Sequence, residues 1–553
     1  MIQPLAALPG DRPSGHIRAT RSPAVGRHGM IATSQPLASA AGLRVLQAGG
    51  HAIDAAVTAA GVLAVVEPSM NGIGGDLFAI VYDAVTGRVY GLDASGRSGA
   101  AATPDAFAAR GLTEMPVSGP LSVDVPGVVS GWDALLTRFG TITLADALAP
   151  AIGYAREGFP VAELMANEWR AAVATLSADA AARATFLPTG APPAMGEIFA
   201  NPRLATTLER IATGGPDAFY RGPIAAAIAA DMRTRGGLIT AQDLAAHTVD
   251  WVDPISVTYR GCDVHELPPS TQGFVALEML NILEGFDIAA LGHNSADYLH
   301  VVAEAKKIAF ADRGAYLADR RCVPEHTLRT LLSKDYAAAR RREIDLRATG
   351  TYRAGLMPTP TPPVADFAGR DLGDTVYLTV ADGAGNVVSF IQSLFASFGA
   401  GIVAGDTGIV LSNRGSGFVL TPGHPNQIAP HKRPLHTLVP ALVTKHGRPW
   451  ISFGVMGGDN QAQGHAQVVM NVVDFGLHVQ AAGEAARMRH MGDQLALESG
   501  IGAEVRASLE ARGHVLCDGR GQMGGYQGIM IDPATGVLLG GSDPRKDGLA
   551  IGW

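Results

Sequence analysis

Hydrophobic and polar positions follow a strand-like pattern most clearly between residues 371 and 418, DLGDTVYLTVADGAGNVVSFIQSLFASFGAGIVAGDTGIVLSNRGSGF. The run TVYLTV carries β-branched and aromatic residues at strand density. DGAGN supplies the glycines and asparagine of a tight turn, and VVSFIQS is a second strand. A glycine-rich loop follows. This pattern predicts Thr375 at the mouth of a strand.

The remaining elements are read from the same periodicities. PLASAAGLRVLQAGGHAIDAAVTAAGVLAVVEP places alanines and branched apolar residues at helical spacing, interrupted at Gly49 and Gly50 and stopped at Pro68, which predicts two buried helices. NGIGGDLFAIVYDAVTGRVYGLDASGRSG reads as a glycine loop, a strand, a TG turn and a strand. From about 120 to 320 the pattern is mostly helical, with signals such as TITLADALAPAIGYAREGF, where a threonine or aspartate precedes the apolar run as at a capped start, and SADYLHVVAEAKKIAFADRGAYL. Between these, SVTYRGCDVHELPPSTQGFVALEMLNILEGF gives a strand, a Pro-Pro turn and a helix. Residues 323–374 pass from an arginine-rich helix into a Pro, Thr and Gly-rich segment without apolar period, either an exposed tail or a plain linker. Residues 461–553 predict two helical runs, QVVMNVVDFGL and AEVRASLEARG, and a closing strand pair through MIDPATGVLLGGSDPR. Residues 1–28 read as a flexible lead-in.

Composition narrows the class. With 553 residues, 47% hydrophobic and 17% charged, the chain can bury a sizeable core. A net charge of −8 gives no reason to expect nucleic acid or an anionic membrane as partner. No stretch reaches the roughly 18 to 20 apolar residues of a membrane span, and the N-terminus lacks a secretory apolar run. Cys262, Cys322 and Cys517 are an odd number without metal or redox spacing, so a reducing, cytoplasmic location is expected. His424, His431, His436 and His465 have no metal-ligand spacing, and a metal site is not expected. Gly72, Gly74 and Gly75 are followed by neither a P-loop lysine nor a dinucleotide fingerprint. Close backbone packing is the better account of them, and no cofactor is implied.

Two features carry candidate chemistry. A threonine hydroxyl is a weak nucleophile without a base. A cut between Asp374 and Thr375 would supply one in the new α-amine, whose pKa of roughly 7.7 to 8.0 suits it to take the hydroxyl proton. An ordinary strand threonine is the alternative. Further on, ISFGVMGGDN places Gly457 and Gly458 at a strand end, where successive backbone N–H groups can face a developing oxyanion.

These residues sit in motifs that resemble the γ-glutamyltransferase family of N-terminal-nucleophile hydrolases. The motifs are RHGMIATSQPLAS, GDTVYLTVADGAGN, FGAGIVAGDTGIVLSN, KRPLHTLVP, GVMGG and GSDPR, in that order along nearly the whole chain. The resemblance implies a four-layer αββα sandwich of the α+β class. It further implies self-cleavage between Asp374 and Thr375, and fragments 29–374 and 375–553 that together form one unit and a heterodimer. Pairing of two such heterodimers stays open. The family's second threonine corresponds to Ser393, its oxyanion hole to Gly457 and Gly458, and its carboxylate-gripping arginine, displaced within the loop, to Arg97. Asn413 is placed to present an amide to a ligand.

Departures from the family point to the substrate. Where family members hold an α-ammonium, this chain has Phe395, Arg414 and Gly417; where they hold the α-carboxylate with adjacent serines, it has His436 and Thr437. A buried ammonium without a carboxylate partner is costly, whereas an arginine favours a carboxylate held in bidentate fashion. The expected substrate is a small amide whose acyl group ends in a carboxylate and lacks the amino group, oxamate-like or glutaryl-like. A γ-glutamyl substrate such as glutathione, transfer to an amine acceptor, and a non-catalytic binding protein are the alternatives. The short segment between Phe418 and Lys432 suggests an open site that favours water as acceptor.

Overall fold

The computed structural model of the chain describes residues 19–356, 374–521 and 523–553. Two seven-stranded sheets, antiparallel throughout, form its centre. The first runs Leu549–Gly552, Gly29–Thr33, Asp374–Asp382, Val387–Phe395, Asp76–Asp83, Arg88–Ala94 and Asp250–Val252. The second runs Ala24–Gly26, Leu538–Ser542, Tyr526–Ile531, Arg448–Val455, Ala441–Lys445, Cys262–Glu266 and Ile255–Tyr259. Both contain strands from either side of residue 374.

Apolar side chains from the two sheets meet in one shared core that includes Met30, Phe78, Tyr377, Leu442 and Ile529. Helices cover the outer faces. On the first sheet lies Ala52–Val66, buried at every position, which is why it is built of alanine and branched residues. On the second lie Gly273–Leu283, Ala296–Tyr316 and Asn460–Val473. The layers are therefore helix, sheet, sheet, helix, as the sequence predicts.

The predicted cap forms: Thr143 and Asp146 make a capping box at Leu144–Glu157. Ser295 caps Ala296–Tyr316 as well, accepting from the Tyr298 amide. The DGAGN turn is tied by Asp382, whose Oδ1 accepts from the Ala384 and Asn386 amides. Its Oδ2 accepts from Ala52 N, so the turn's carboxylate also sits at the positive end of Ala52–Val66.

Three readings need correction. The lead-in is ordered from Ala19 onward: Thr20 donates to Glu484, and Ala24–Gly26 pairs with the strand Leu538–Ser542, because an exposed sheet edge accepts it. The single strand read in SVTYRGCDVHE is a hairpin of Ile255–Tyr259 and Cys262–Glu266, with Arg260 and Gly261 both at positive φ. The final hundred residues hold more strand than expected, including a separate sheet of Met488–Met491, Gln494–Leu497 and Val515–Asp518. The Pro-rich part of the predicted tail, residues 357–373, lies outside the described residues.

The glycines of the 72–75 loop serve close packing. A Cβ on Gly74 would lie 2.0 Å from the Val410 carbonyl oxygen, and one on Gly75 would lie 2.2 Å from that of Ser393. Gly75→Ala is expected to cost about 2 kcal/mol or more, since the clash is with backbone. Gly153→Ala, in a helix with nothing within 4 Å of the new methyl, is expected to be neutral or to stabilise by up to about 1 kcal/mol. Urea unfolding of both variants beside wild type checks this; equal midpoints would show that the loop yields.

Candidate active site

Thr375 lies in the strand Asp374–Asp382 where the register with Val387–Phe395 shifts: Asp374 pairs with Phe395 and Val376 with Gln392. The extra residue on the partner strand is a bulge, a common device for aiming a side chain out of a ladder. The Thr375 hydroxyl donates to Ser393 Oγ at 3.2 Å, and Ser393 Oγ also accepts from the Phe395 amide at 2.8 Å. Neighbouring Gln392 is locked in turn by Trp132, Ala60 and Asn71. The hydroxyl pair thus stands on a rigid base.

The glycine pair follows a strand of the other sheet that packs against the strand carrying Thr375. Thr379 donates to Ser452 across the sheets at 2.6 Å, and a Cβ on Gly454 would lie 2.3 Å from the Tyr377 ring. The two strands run in opposite senses here. Thr375 lies just before Tyr377 on one strand, and the glycine pair just after Gly454 on the other. Gly457 and Gly458 have φ of 106° and 58°, in the left-handed region that glycine tolerates, and they lead into Asn460–Val473. Neither amide donates a hydrogen bond to the described residues. Two N–H groups without a partner among the described residues, at the positive end of a helix, form a suitable cradle for an oxyanion.

The selecting residues converge on Arg414. Its guanidinium lies over the Phe395 ring, 4.0 Å from the centroid, and donates to Thr437 Oγ1 at 3.2 Å. Its Nε faces Asp76 Oδ2 at 3.6 Å, an ion pair too long for a hydrogen bond. Asp76 is the residue paired with Ser393 in the adjoining strand, so the arginine and the hydroxyl pair share one corner of the sheet. Gln272 Nε2 donates to the carbonyls of both Thr437 and Gly458, closing the ring of contacts. His436 stacks edge-on against Phe78, 5.0 Å between centroids, with neither ring nitrogen hydrogen-bonded.

Thr375, Ser393, Phe395, Asn413, Arg414, His436 and Thr437 are each no more than 2% exposed. The open site inferred from the short 419–431 segment is therefore not seen in this single, uncut chain. That segment folds on itself, with Val419 bridging Gln427 and the Lys432 ammonium holding the carbonyls of Pro425 and Gln427.

Burial sets the electrostatics. It pushes the Arg414 guanidinium down to about 10 against the pull of Asp76 and Asp124, and pushes the Asp76 carboxyl up to about 6 against the pull of Arg414. Burial, then Asp76, raises Asp124 well above the usual carboxylate range. Burial, followed by Arg414 and Arg433, holds His436 well below 6.5, so its ring is neutral at pH 7.

Two predicted residues stand differently. Arg97 is outside this network: it donates to Asp250 and to the Thr248 carbonyl, sharing both with Arg433. Arg433, in the KRPLHTLVP motif, is the buried arginine of this region and also faces Asp93 at 3.4 Å. The Asn413 amide is spent at both ends, its Oδ1 accepting from Ala396 N and its Nδ2 donating to the Val117 carbonyl. It positions the loop that carries Arg414. Sequence reasoning passed over Asp76, Asp124 and Gln272. The available signal was an acid directly after the GIGG loop, where a strand begins.

Elsewhere, His300, Glu304 and His514 bring metal-ligand atom types together. His300 Nδ1 and His514 Nε2 are 2.8 Å apart, sharing a hydrogen bond, while Glu304 is taken by Thr349, Gly350, Tyr352 and the Lys307 ammonium. These contacts hold residues 349–352 in place. The three cysteines are unpaired, and among the described residues no helix is long and apolar enough to cross a membrane.

Two stacked antiparallel sheets between helical layers, with this corner at their junction, are the architecture of N-terminal-nucleophile hydrolases. The chain belongs to the gamma-glutamyltranspeptidase family, whose model matches residues 38–553. It is 39% identical to the glutathione hydrolase-like YwrD proenzyme of Bacillus subtilis, over 96% of this chain and 99% of that one. It is 36% identical to the oxamate amidohydrolase proenzyme of Klebsiella pneumoniae, again over 96% and 99%. Among solved structures it resembles cephalosporin acylase from Bacillus halodurans, with a TM-score of 0.89 and 42% identity over 99% of both chains.

His436→Leu tests whether the ring nitrogens matter to the fold. Exchanging an unpartnered buried polar group for an apolar one of similar size is expected to change stability by less than about 1 kcal/mol. A clearly lower thermal midpoint would show that the nitrogens have partners in solution.

Proposed function

We propose that the chain is a self-processing amidohydrolase that cleaves the amide of a small acyl group ending in a carboxylate, through an acyl-threonine intermediate. The observation that carries this reading is the Thr375–Ser393 hydroxyl pair on the sheet corner it shares with a buried Arg414, two of whose nitrogens have no hydrogen bond among the described residues.

The chemistry follows from these positions. The Thr375 hydroxyl attacks the Asp374 carbonyl, and hydrolysis of the resulting ester frees the Thr375 amine and separates fragments 1–374 and 375–553, which stay together through their shared sheets. In the processed enzyme the amine takes the hydroxyl proton as Thr375 attacks the substrate carbonyl, and returns it to the leaving amine. The Gly457 and Gly458 amides hold the oxyanion. Ser393 accepts from Thr375 and fixes its rotamer. Water then releases the acid. Arg414 and Thr437, with the neutral His436, receive the acyl carboxylate. The names of the relatives, an oxamate amidohydrolase and a cephalosporin acylase among them, support hydrolysis of amides over other chemistries.

A second reading, a γ-glutamyl compound such as glutathione, has in its favour the two carboxylates Asp76 and Asp124, with which an α-ammonium would pair, and the name of the YwrD relative.

Intact mass of purified wild type at neutral pH is expected to show two fragments meeting between Asp374 and Thr375, with Thr375→Ala left whole. An uncut wild type would leave no N-terminal amine and overturn the mechanism. For the processed enzyme, kcat/KM for glutaryl p-nitroanilide is expected to exceed that for the uncharged pentanoyl analogue and for γ-glutamyl p-nitroanilide. Arg414→Met is expected to lower the glutaryl value about 30- to 100-fold, or about 2 to 3 kcal/mol for a charged hydrogen bond, and the pentanoyl value much less. A preference for the γ-glutamyl compound would select the second reading.

A further inference from the structure

Arg414 is buried with more acid than it needs. Asp76 approaches its Nε from the first residue of Asp76–Asp83. Asp124 comes from the loop after Pro120–Ser122, a short element packed against Arg414–Gly417. The two carboxylates meet across Gly96: its amide donates to Asp76 Oδ1 at 2.7 Å, and a Cβ on it would lie 3.2 Å from Asp124 Oδ2. Asp76 Oδ2, Asp124 Oδ2, Arg414 Nε and Arg414 Nη2 all lack a hydrogen bond. Such a concentration of unsatisfied buried atoms calls for an explanation. The other charged groups nearby do not neutralise the pair. Arg433 is committed to Asp93 and Asp250, Arg97 to Asp250, and His436 is neutral.

We propose that Asp76 and Asp124 act as a proton-holding pair behind Arg414, so that an anionic acyl group binds at Arg414 with one proton on the pair, taken up from solvent wherever the free pair is fully ionised. The inference rests on the reading of Arg414 as the carboxylate's partner. With both acids ionised the corner carries one net negative charge and repels a substrate carboxylate. With one proton on the pair the corner is neutral, and with a bound anion the proton is held more tightly still. The raised Asp76 and Asp124 carboxyls agree with that order of events. Asp76 and Asp124 are specificity-determining residues here. They act through Arg414 and need not touch the reacting carbonyl.

The test is the pH dependence of KM between pH 5 and 9 for glutaryl and pentanoyl p-nitroanilide, taken as a ratio. Ionisation of the Thr375 amine affects both substrates and cancels. The ratio KM(glutaryl)/KM(pentanoyl) is expected to rise with pH above the pair's apparent pKa, by up to tenfold per unit, beyond any change shared with pentanoyl. Asp124→Asn, which removes the surplus charge and keeps the shape, is expected to flatten the ratio and lower KM for glutaryl at pH 8; Asp76→Asn is expected to do the same. A glutaryl preference that is present but independent of pH, or unchanged in both variants, overturns the proton pair and leaves Arg414 as the carboxylate's partner. Absence of any glutaryl preference at every pH overturns the Arg414 reading, and the pair falls with it.

Discussion

The site depends on the crossing of two strands that belong to different sheets. Tyr377 fills the space that a side chain at Gly454 would need, and Thr379 bonds to Ser452 across the gap. A slip of one residue in either strand would turn every alternate side chain to the wrong face. The spacing between Thr375 and the Gly457–Gly458 pair is therefore set two to six residues away, in a dry core where register is strongly specified. The strand Asp374–Asp382 is also central in its sheet, with Gly29–Thr33 on one side and Val387–Phe395 on the other. It cannot shift without breaking two ladders. This is the kind of support that a nucleophile needs, since an error of about 1 Å in placement is costly to catalysis.

Features with a local cause were legible in the sequence. The turn at 382–386, the helix cap at Thr143 and the break at Gly49–Gly50 follow from a few adjacent residues, and each stands in the structure where it was read. Strand membership was harder, because hydrogen-bond partners are chosen over hundreds of residues. Leu549–Gly552 joins Gly29–Thr33 in the first sheet although it follows a hairpin of the second. The same limit applies to the site. Thr375, Ser393 and the glycine pair are visible in short motifs, whereas no motif shows that Arg97 turns to Asp250 and the Thr248 carbonyl. Asp76 and Asp124 had no motif around them that marked them out. Only the tertiary approach of three separate segments makes them a group.

The matching of donors and acceptors in that group differs from that around Arg545. Arg545 is another arginine among acids, yet it spends all three of its nitrogens on Glu498, Asp543 and the carbonyls of Gly483 and Ala485. That is how a structural guanidinium is normally accommodated, with every donor matched. Arg414 is more deeply buried and less well matched, and the acids beside it also have an oxygen left over. A fold that can saturate one arginine and leaves another short of partners carries an uncompensated cost at the second. Departures of this kind concentrate where a protein binds or reacts. Arg414 stands on the same sheet corner as the Thr375 hydroxyl, so that cost falls at the one place where a bound carboxylate would relieve it.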